Sequence, residues 1–198
     1  MCGRWIGSLL VAVLLWVSSA ANAAQGDWLG RARAIYIDHQ VSSSPLNLDV
    51  DSRVTPELDF SYFVTNNLAL ELILATQRHE VKLNGASVGH VTHLPPTLTL
   101  QYHFLPQATI RPYVGAGVNY TRFYDISLGS GTLTVDKNSW GGALQAGADF
   151  QLSNRFFLNV DIKKIWIGTD VKAVGTGATL SNLKINPLVF GIGVGMKF

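Results

Sequence analysis

The chain has 198 residues, 47% of them apolar and only 14% charged, with a formal charge of +2. That length fits one domain. The near-neutral balance excludes an electrostatic grip on nucleic acid, and the low charge excludes a disordered chain. A single cysteine, Cys2, excludes a disulfide framework and a cysteine-based zinc site.

The chain opens with Arg4, an apolar run from Trp5 to Val17, and the small residues Ser18 to Ala23. Ala21 and Ala23 form an A-x-A cleavage pattern, so residues 1–23 are expected to be a secretory signal peptide. The run is short of the about 20 residues a membrane helix needs. No cysteine stands at the cleavage point, which excludes a lipoprotein. Residues 24–198 are expected to be one exported domain.

From there the pattern alternates with period two, the mark of strands with two different faces. Strands are expected at about Leu29 to Asp38, Val54 to Val64, Leu68 to Arg78 and Pro95 to Leu105. Four more follow at about Arg111 to Asp125, Ser139 to Leu152, Phe156 to Thr169 and Leu188 to Phe198. On the last, Leu188, Phe190, Ile192, Val194, Met196 and Phe198 share one face, opposite Val189, Gly191, Gly193, Gly195 and Lys197.

The connections alternate. Residues 65–67, 105–110 and 153–155 are short, whereas 39–53, 79–94, 126–138 and 170–185 read as long polar loops. The fold class expected is therefore all-β, an eight-stranded antiparallel transmembrane β-barrel with short periplasmic turns and longer extracellular loops. The apolar faces would meet outer-membrane lipid, with Trp28, Tyr36, Tyr120, Trp140, Phe156 and Trp166 as aromatic girdles. The aromatic Phe198 at the carboxy terminus is read as the signal for the barrel assembly machinery. The competing reading is a soluble sandwich or lipocalin-like barrel, apolar inside and polar outside. The signal peptide, the absence of cysteine from the exported part and the terminal aromatic favour the outer membrane of a Gram-negative bacterium.

Several stretches carry a family resemblance. They are Gly26-Asp27-Trp28, Glu71 to Thr76, His93 to Leu98, Arg111 to Thr121, Asn138 to Gly141 and Asn186 to Phe198. In this order and spacing the chain resembles the OmpW family, which includes the AlkL-type alkane-uptake proteins. The resemblance implies a narrow barrel channel that admits small hydrophobic molecules; some members also act as bacteriocin receptors. One departure is Lys164, where some members carry a tryptophan described as part of a constriction. That gate is not carried over.

An eight-stranded barrel has room only for its own side chains or one small ligand, so a water-filled porin is excluded. Face parity and strand direction sort the inward residues by height. A polar plug is expected in the lower half: Arg31, Arg33, Glu57, Asp59, Glu71, Gln101, His103, Gln145, Asp149, Asn159, Asp161 and Lys163. An apolar channel lining is expected above it: Ile35, Ile37, Ile73, Ala75, Thr97, Phe123, Ala143, Ile165, Ile167 and Val189. Solutes would enter from outside, stop at the plug and leave sideways into the membrane. Pro95 and Pro96, which give no N–H to a ladder, mark the candidate lateral exit.

The inward glycines Gly115, Gly117, Gly147, Gly191, Gly193 and Gly195 leave either a cavity or room for a bulky neighbour such as Tyr113 or Arg31. His39, His79, His90 and His93 are expected in loops or at strand ends, and only His103 in the lumen. Parity puts no serine beside His103 on its strand, so the chain is expected not to be an enzyme. His90 and His93 read as solvated rather than as a metal pair. No metal or cofactor is expected. The other functional class is a surface receptor, for a phage or bacteriocin, or a stress-related structural barrel without transport.

Overall fold

The computed structural model describes residues 24–50 and 53–198, so the expected signal peptide lies outside it. The alternating pattern becomes strands β1 (Trp28–Asp38), β2 (Val41–Ser44), β3 (Leu48–Val50), β4 (Arg53–Phe63) and β5 (Leu68–Ala75). Next come β6 (Gln77–Leu83), β7 (Ala86–Leu94), β8 (Thr97–His103), β9 (Ile110–Leu128) and β10 (Leu133–Val135). The rest are β11 (Asn138–Gln151), β12 (Phe156–Ile165), β13 (Ile167–Ala173), β14 (Thr179–Ile185) and β15 (Leu188–Lys197).

Eight of these close on themselves as antiparallel staves in the order β1, β4, β5, β8, β9, β11, β12, β15. The last returns to the first, with Phe190 opposite Tyr36. The short turns and both ends of the domain lie together, where the Phe198 amide donates to the Trp28 carbonyl at 2.9 Å. We call this end the bottom.

The outer surface of the lower barrel is an apolar belt of Leu58, Phe60, Leu70, Leu72, Leu98, Leu100, Val114, Val118, Leu144, Ile192 and Val194, all exposed. Aromatic side chains bound it. The tilted rings of Trp28 and Tyr62 lie 5.0 Å apart below, and those of Tyr120 and Trp140 4.8 Å apart above, with Tyr36 and Trp166 also exposed. Trp28 to Tyr36 is a run of the length a tilted strand needs to cross a bilayer, about 9–11 residues. This belt is the membrane-spanning part.

The four stretches expected as long loops are instead mostly strand. β6 and β7 form a hairpin whose turn is Asn84-Gly85, with φ of 50° and 83°. Both central residues with positive φ make the tight turn that matches strand twist, and Asn-Gly is the pair that best tolerates it. β7 pairs with the upper end of β9, β10 with β13, β13 with β14, β14 with β2, and β3 with β6. The barrel thus continues above the belt as an extension built from these hairpins. Several expected boundaries move accordingly. The third stave ends at Ala75 and the fourth starts at Thr97, while β9 runs on to Leu128.

The polarity of the wall inverts where the extension begins. In the belt, apolar residues face out and charged ones face in. In β6, Arg78, Glu80 and Lys82 alternate with the buried Gln77, His79 and Val81. In β14, Asn182 and Lys184 are exposed between buried Ser181, Leu183 and Ile185. The extension packs its apolar face inward, as a water-soluble barrel does. Leu48, Val50, Val81, Val91, Phe123, Leu128, Val135, Val171, Leu183 and Ile185 join Ile35, Ile37, Ala143, Ile165, Ile167 and Val189 in one buried cluster. Thus the soluble-barrel pattern weighed against the membrane barrel describes the upper part of the same molecule.

Candidate functional site

Each residue assigned to the lumen by parity is buried, both the polar and the apolar group. The lower lumen is a network around two arginines on β1. The Arg31 guanidinium reaches Asp59 at 2.8 Å and Ser61 at 2.9 Å from one nitrogen, and Asp149 at 3.2 Å from the other. Arg33 reaches Asp59 at 2.6 Å, Glu57 at 2.9 Å, Asp161 at 3.0 Å and Glu71 at 3.2 Å. Both side chains have no exposure. Lys163 closes the top of the network, bound to Glu57 at 2.5 Å and Asp161 at 3.4 Å. Neutral groups take the remaining sites. Gln145 donates to Asp161 at 2.8 Å, Asn159 to Asp149 at 2.8 Å, and Thr99 to Glu71 at 2.9 Å. Buried charges persist only when paired and hydrogen-bonded in this way.

His103 lies low in this part, Nε2 at 3.1 Å from Gln101 Oε1, with its ring between Phe63 and Tyr113. Sequence reasoning left out Arg111, buried over the Phe157 ring at 5.2 Å, and the apolar lid of Leu29, Phe63, Ala69 and Phe157 beneath the plug. Both follow the parity of their strands and could have been found from it. The inward glycines hold no cavity. A Cβ on Gly147 would lie 2.5 Å from the Tyr113 hydroxyl. One on Gly195 would overlap the Phe157 ring, one on Gly191 Asp161, one on Gly193 the Ala32 carbonyl and one on Gly117 the Leu98 carbonyl. These glycines admit bulky lumen residues and close strand approach.

Above the plug the lumen is mostly apolar, with Gln77, His79, His93 and Thr97 among its buried polar residues, and holds two narrow cavities. An inner chamber, a narrow cavity of about 30 Å³, is lined by Ile35, Ile37, Ile73, Ala75, Gln77, Thr97, Phe123, Ile165, Ile167 and Val189. Glu57 reaches it from below and Pro95 from the side. Ala143 is buried in the same apolar cluster without lining this chamber. An outer chamber, a narrow cavity of about 20 Å³, continues into the extension among Leu48, Val81, Val91, Leu128, Val135 and Val171. His39, His93, Phe123 and Ile185 line both.

The histidines correct the sequence reading. His79 and His93 are not loop residues but inward residues of β6 and β7, with 2% and 5% exposure. Their rings stack at 5.0 Å; His39 meets His79 edge-on at 4.6 Å, and His93 lies 5.7 Å from Phe123. They form a waist between the chambers. The extension turned a polar stretch into a lumen wall, which composition alone concealed. His90 sits outside, 2.9 Å from Arg78 and 3.6 Å from Asp125, so it shares no site with His93. The waist lies above the upper aromatic ring, outside the membrane-spanning part. Burial, and then the neighbouring His79 and His39, push the His93 pKa down to about 3.

Pro95 and Pro96 separate β7 from β8. On one side they are tied to β9: the Tyr120 amide donates to Pro96 O at 3.0 Å and Asn119 Nδ2 to Pro95 O at 3.3 Å. On the other side the ladder lapses between Ile73 opposite Thr97 and Gln77 opposite His93. Lys164 points outward and braces the rim, donating to Asn186 O at 2.6 Å and Gln40 Oε1 at 2.7 Å.

The model of the OmpW family matches residues 24–198. The chain belongs to the OmpW family. Outer membrane protein W of Vibrio cholerae is 37% identical, covering 95% of this chain and 97% of that protein. Outer membrane protein AlkL of Ectopseudomonas oleovorans is 28% identical, covering 91% of this chain and 86% of its own length. The crystal structure of the outer membrane protein OprG from Pseudomonas aeruginosa superposes with a TM-score of 0.81 at 27% identity, covering 90% of this chain and 99% of that one. As in other OmpW-family proteins, the eight staves make a closed outer-membrane barrel, and the apolar belt lies in the bilayer of a Gram-negative outer membrane.

Proposed function

We propose that this barrel passes small hydrophobic molecules from the outside into the outer membrane. The observation that carries the reading is the inversion of lumen polarity: two apolar chambers stand above a floor made by the Glu57–Lys163 pair and the arginine network. A hydrophobic solute gains from burial in the chambers. It gains nothing from entering the plug, where it would have to separate buried ion pairs. Passage straight down is therefore disfavoured, and the solute leaves sideways. The exit is the wall beside Pro95 and Pro96, where the ladder toward β5 and β6 lapses and Pro95 lines the inner chamber. Nothing in this route requires catalysis or a bound cofactor.

The test is uptake of a labelled medium-chain hydrocarbon by cells with and without the protein, alongside Ile73→Asp and a small hydrophilic sugar. Ile73 is 3% exposed on the inner chamber wall, so an aspartate there charges the route. The expected result is protein-dependent hydrocarbon uptake, lost in Ile73→Asp, with no gain for the sugar. Sugar uptake would mean an open water path. No effect on either solute would shift the assignment to a surface receptor.

A further inference from the structure

The waist between the chambers holds a polar atom with no use in an all-apolar passage. His93 lines both chambers, is 5% exposed, and its Nδ1 is buried without a hydrogen-bond partner. Such an atom costs about as much as a lost hydrogen bond, and a phenylalanine of similar shape would avoid that cost. Phe123, whose ring lies tilted against His93 at 5.7 Å, shows that the site accommodates an apolar ring.

From this we propose that His93 is a recognition subsite for one hydrogen-bonding group on an otherwise hydrophobic solute. The cargo it favours is a monofunctional amphiphile, a hydroxyl or carbonyl on an apolar chain or ring, over a bare hydrocarbon of the same length. The inference rests on the proposed passage and names its preferred substrate class. Three features support it. The mostly apolar linings on either side offer contact to a carbon skeleton, once side chains part to admit it, while the waist meets the polar end. Stacking on His79, itself within 2.8 Å of Gln77 Oε1 through Nε2, and contact with Phe123 hold the His93 ring in place. Burial keeps His93 neutral, its pKa lowered to about 3, so one ring nitrogen accepts and the other donates. It can therefore serve a hydroxyl or a carbonyl, according to tautomer.

The experiment compares protein-dependent uptake of 1-octanol and octane in cells carrying the wild type or His93→Phe. Folding of each variant is read from the mobility of the unboiled barrel on gels. The expected result is an octanol-to-octane uptake ratio reduced about fivefold, the factor one net hydrogen bond supplies. A second measurement uses the wild-type protein in lipid bilayers. The imidazole ¹⁵N shifts of His93 should move on addition of 1-octanol and stay put with octane. An unchanged octanol-to-octane ratio in His93→Phe, or shifts indifferent to octanol, would overturn the subsite while leaving the passage standing. Absence of protein-dependent octane uptake in the wild type would instead overturn the passage, and the ¹⁵N shifts would still decide the subsite.

Discussion

Replacing Arg33 by methionine removes a guanidinium that Glu57, Asp59, Glu71 and Asp161 share at 2.6–3.2 Å. Methionine fills most of the volume and carries no charge, so the variant isolates the ionic part of the plug. The side chain has no exposure, and the four carboxylates would lose a shared cation while staying buried. Removing one partner of such a buried pair costs about 3–5 kcal/mol, because the remaining charge stays desolvated. The control is Lys172→Met, which breaks the 2.5 Å pair with Asp136 in the extension. Those two side chains are 30% and 41% exposed, and a pair in that setting contributes about 0–1 kcal/mol. Urea unfolding from lipid vesicles measures both. The outward-facing Trp28, Trp140 and Trp166 report the loss of lipid contact by fluorescence. Adding Glu71→Gln to Arg33→Met should recover part of the loss by removing one uncompensated charge. Equal losses for Arg33→Met and Lys172→Met would refute the argument that burial gives the plug its weight.

Gly195→Ala would place a methyl group against the Phe157 ring and Arg31 Cγ. A loss of about 1–3 kcal/mol is expected, partly recovered by adding Phe157→Ala, with both read from the same unfolding curves. Restoring backbone donors with Pro95→Ala and Pro96→Ala should slow hydrocarbon uptake several-fold if the solute leaves beside them. Unchanged uptake in a folded double variant removes that exit. Acid should loosen the extension through His93, whose folded pKa is about 3 against an ordinary 6.5. Its contribution is complete above pH 6.5 and is lost as the pH falls toward 3, because only the unfolded chain takes up the proton. At pH 5 the loss is roughly 2 kcal/mol, visible as faster hydrogen exchange in β7 that His93→Phe abolishes.

The lumen was legible in the sequence because one rule governs it. On a strand, every second side chain faces the same way, so fixing the face of Arg31 also fixes Arg33, Ile35 and Ile37. Strand direction then ranked them by height, and the division between charged plug and apolar chamber followed. The partners were not legible. That Arg33 meets Glu71 on β5 and Asp161 on β12 depends on the register and stagger of a closed barrel, which no single strand states.

The extension was missed for a different reason. Its strands keep the period but reverse the sign. Searching for an apolar face exposed to lipid, flanked by a polar lumen, finds β5 in Leu68-Leu70-Leu72 and passes over β6. There Arg78, Glu80 and Lys82 face water while His79 and Val81 face in. A stretch that looks like a polar loop by composition is a strand whose outside has left the membrane. The Asn84-Gly85 turn was the available signal, since that pair between alternating residues marks a tight hairpin. The same reversal explains where the chambers end. The Glu57–Lys163 pair stands where the lipid-facing belt and the inward-facing apolar cluster overlap, around Ile35 and Ile165. On the proposed route the plug would therefore do more than fill the barrel: it would set the depth at which an apolar solute stops and turns toward the wall.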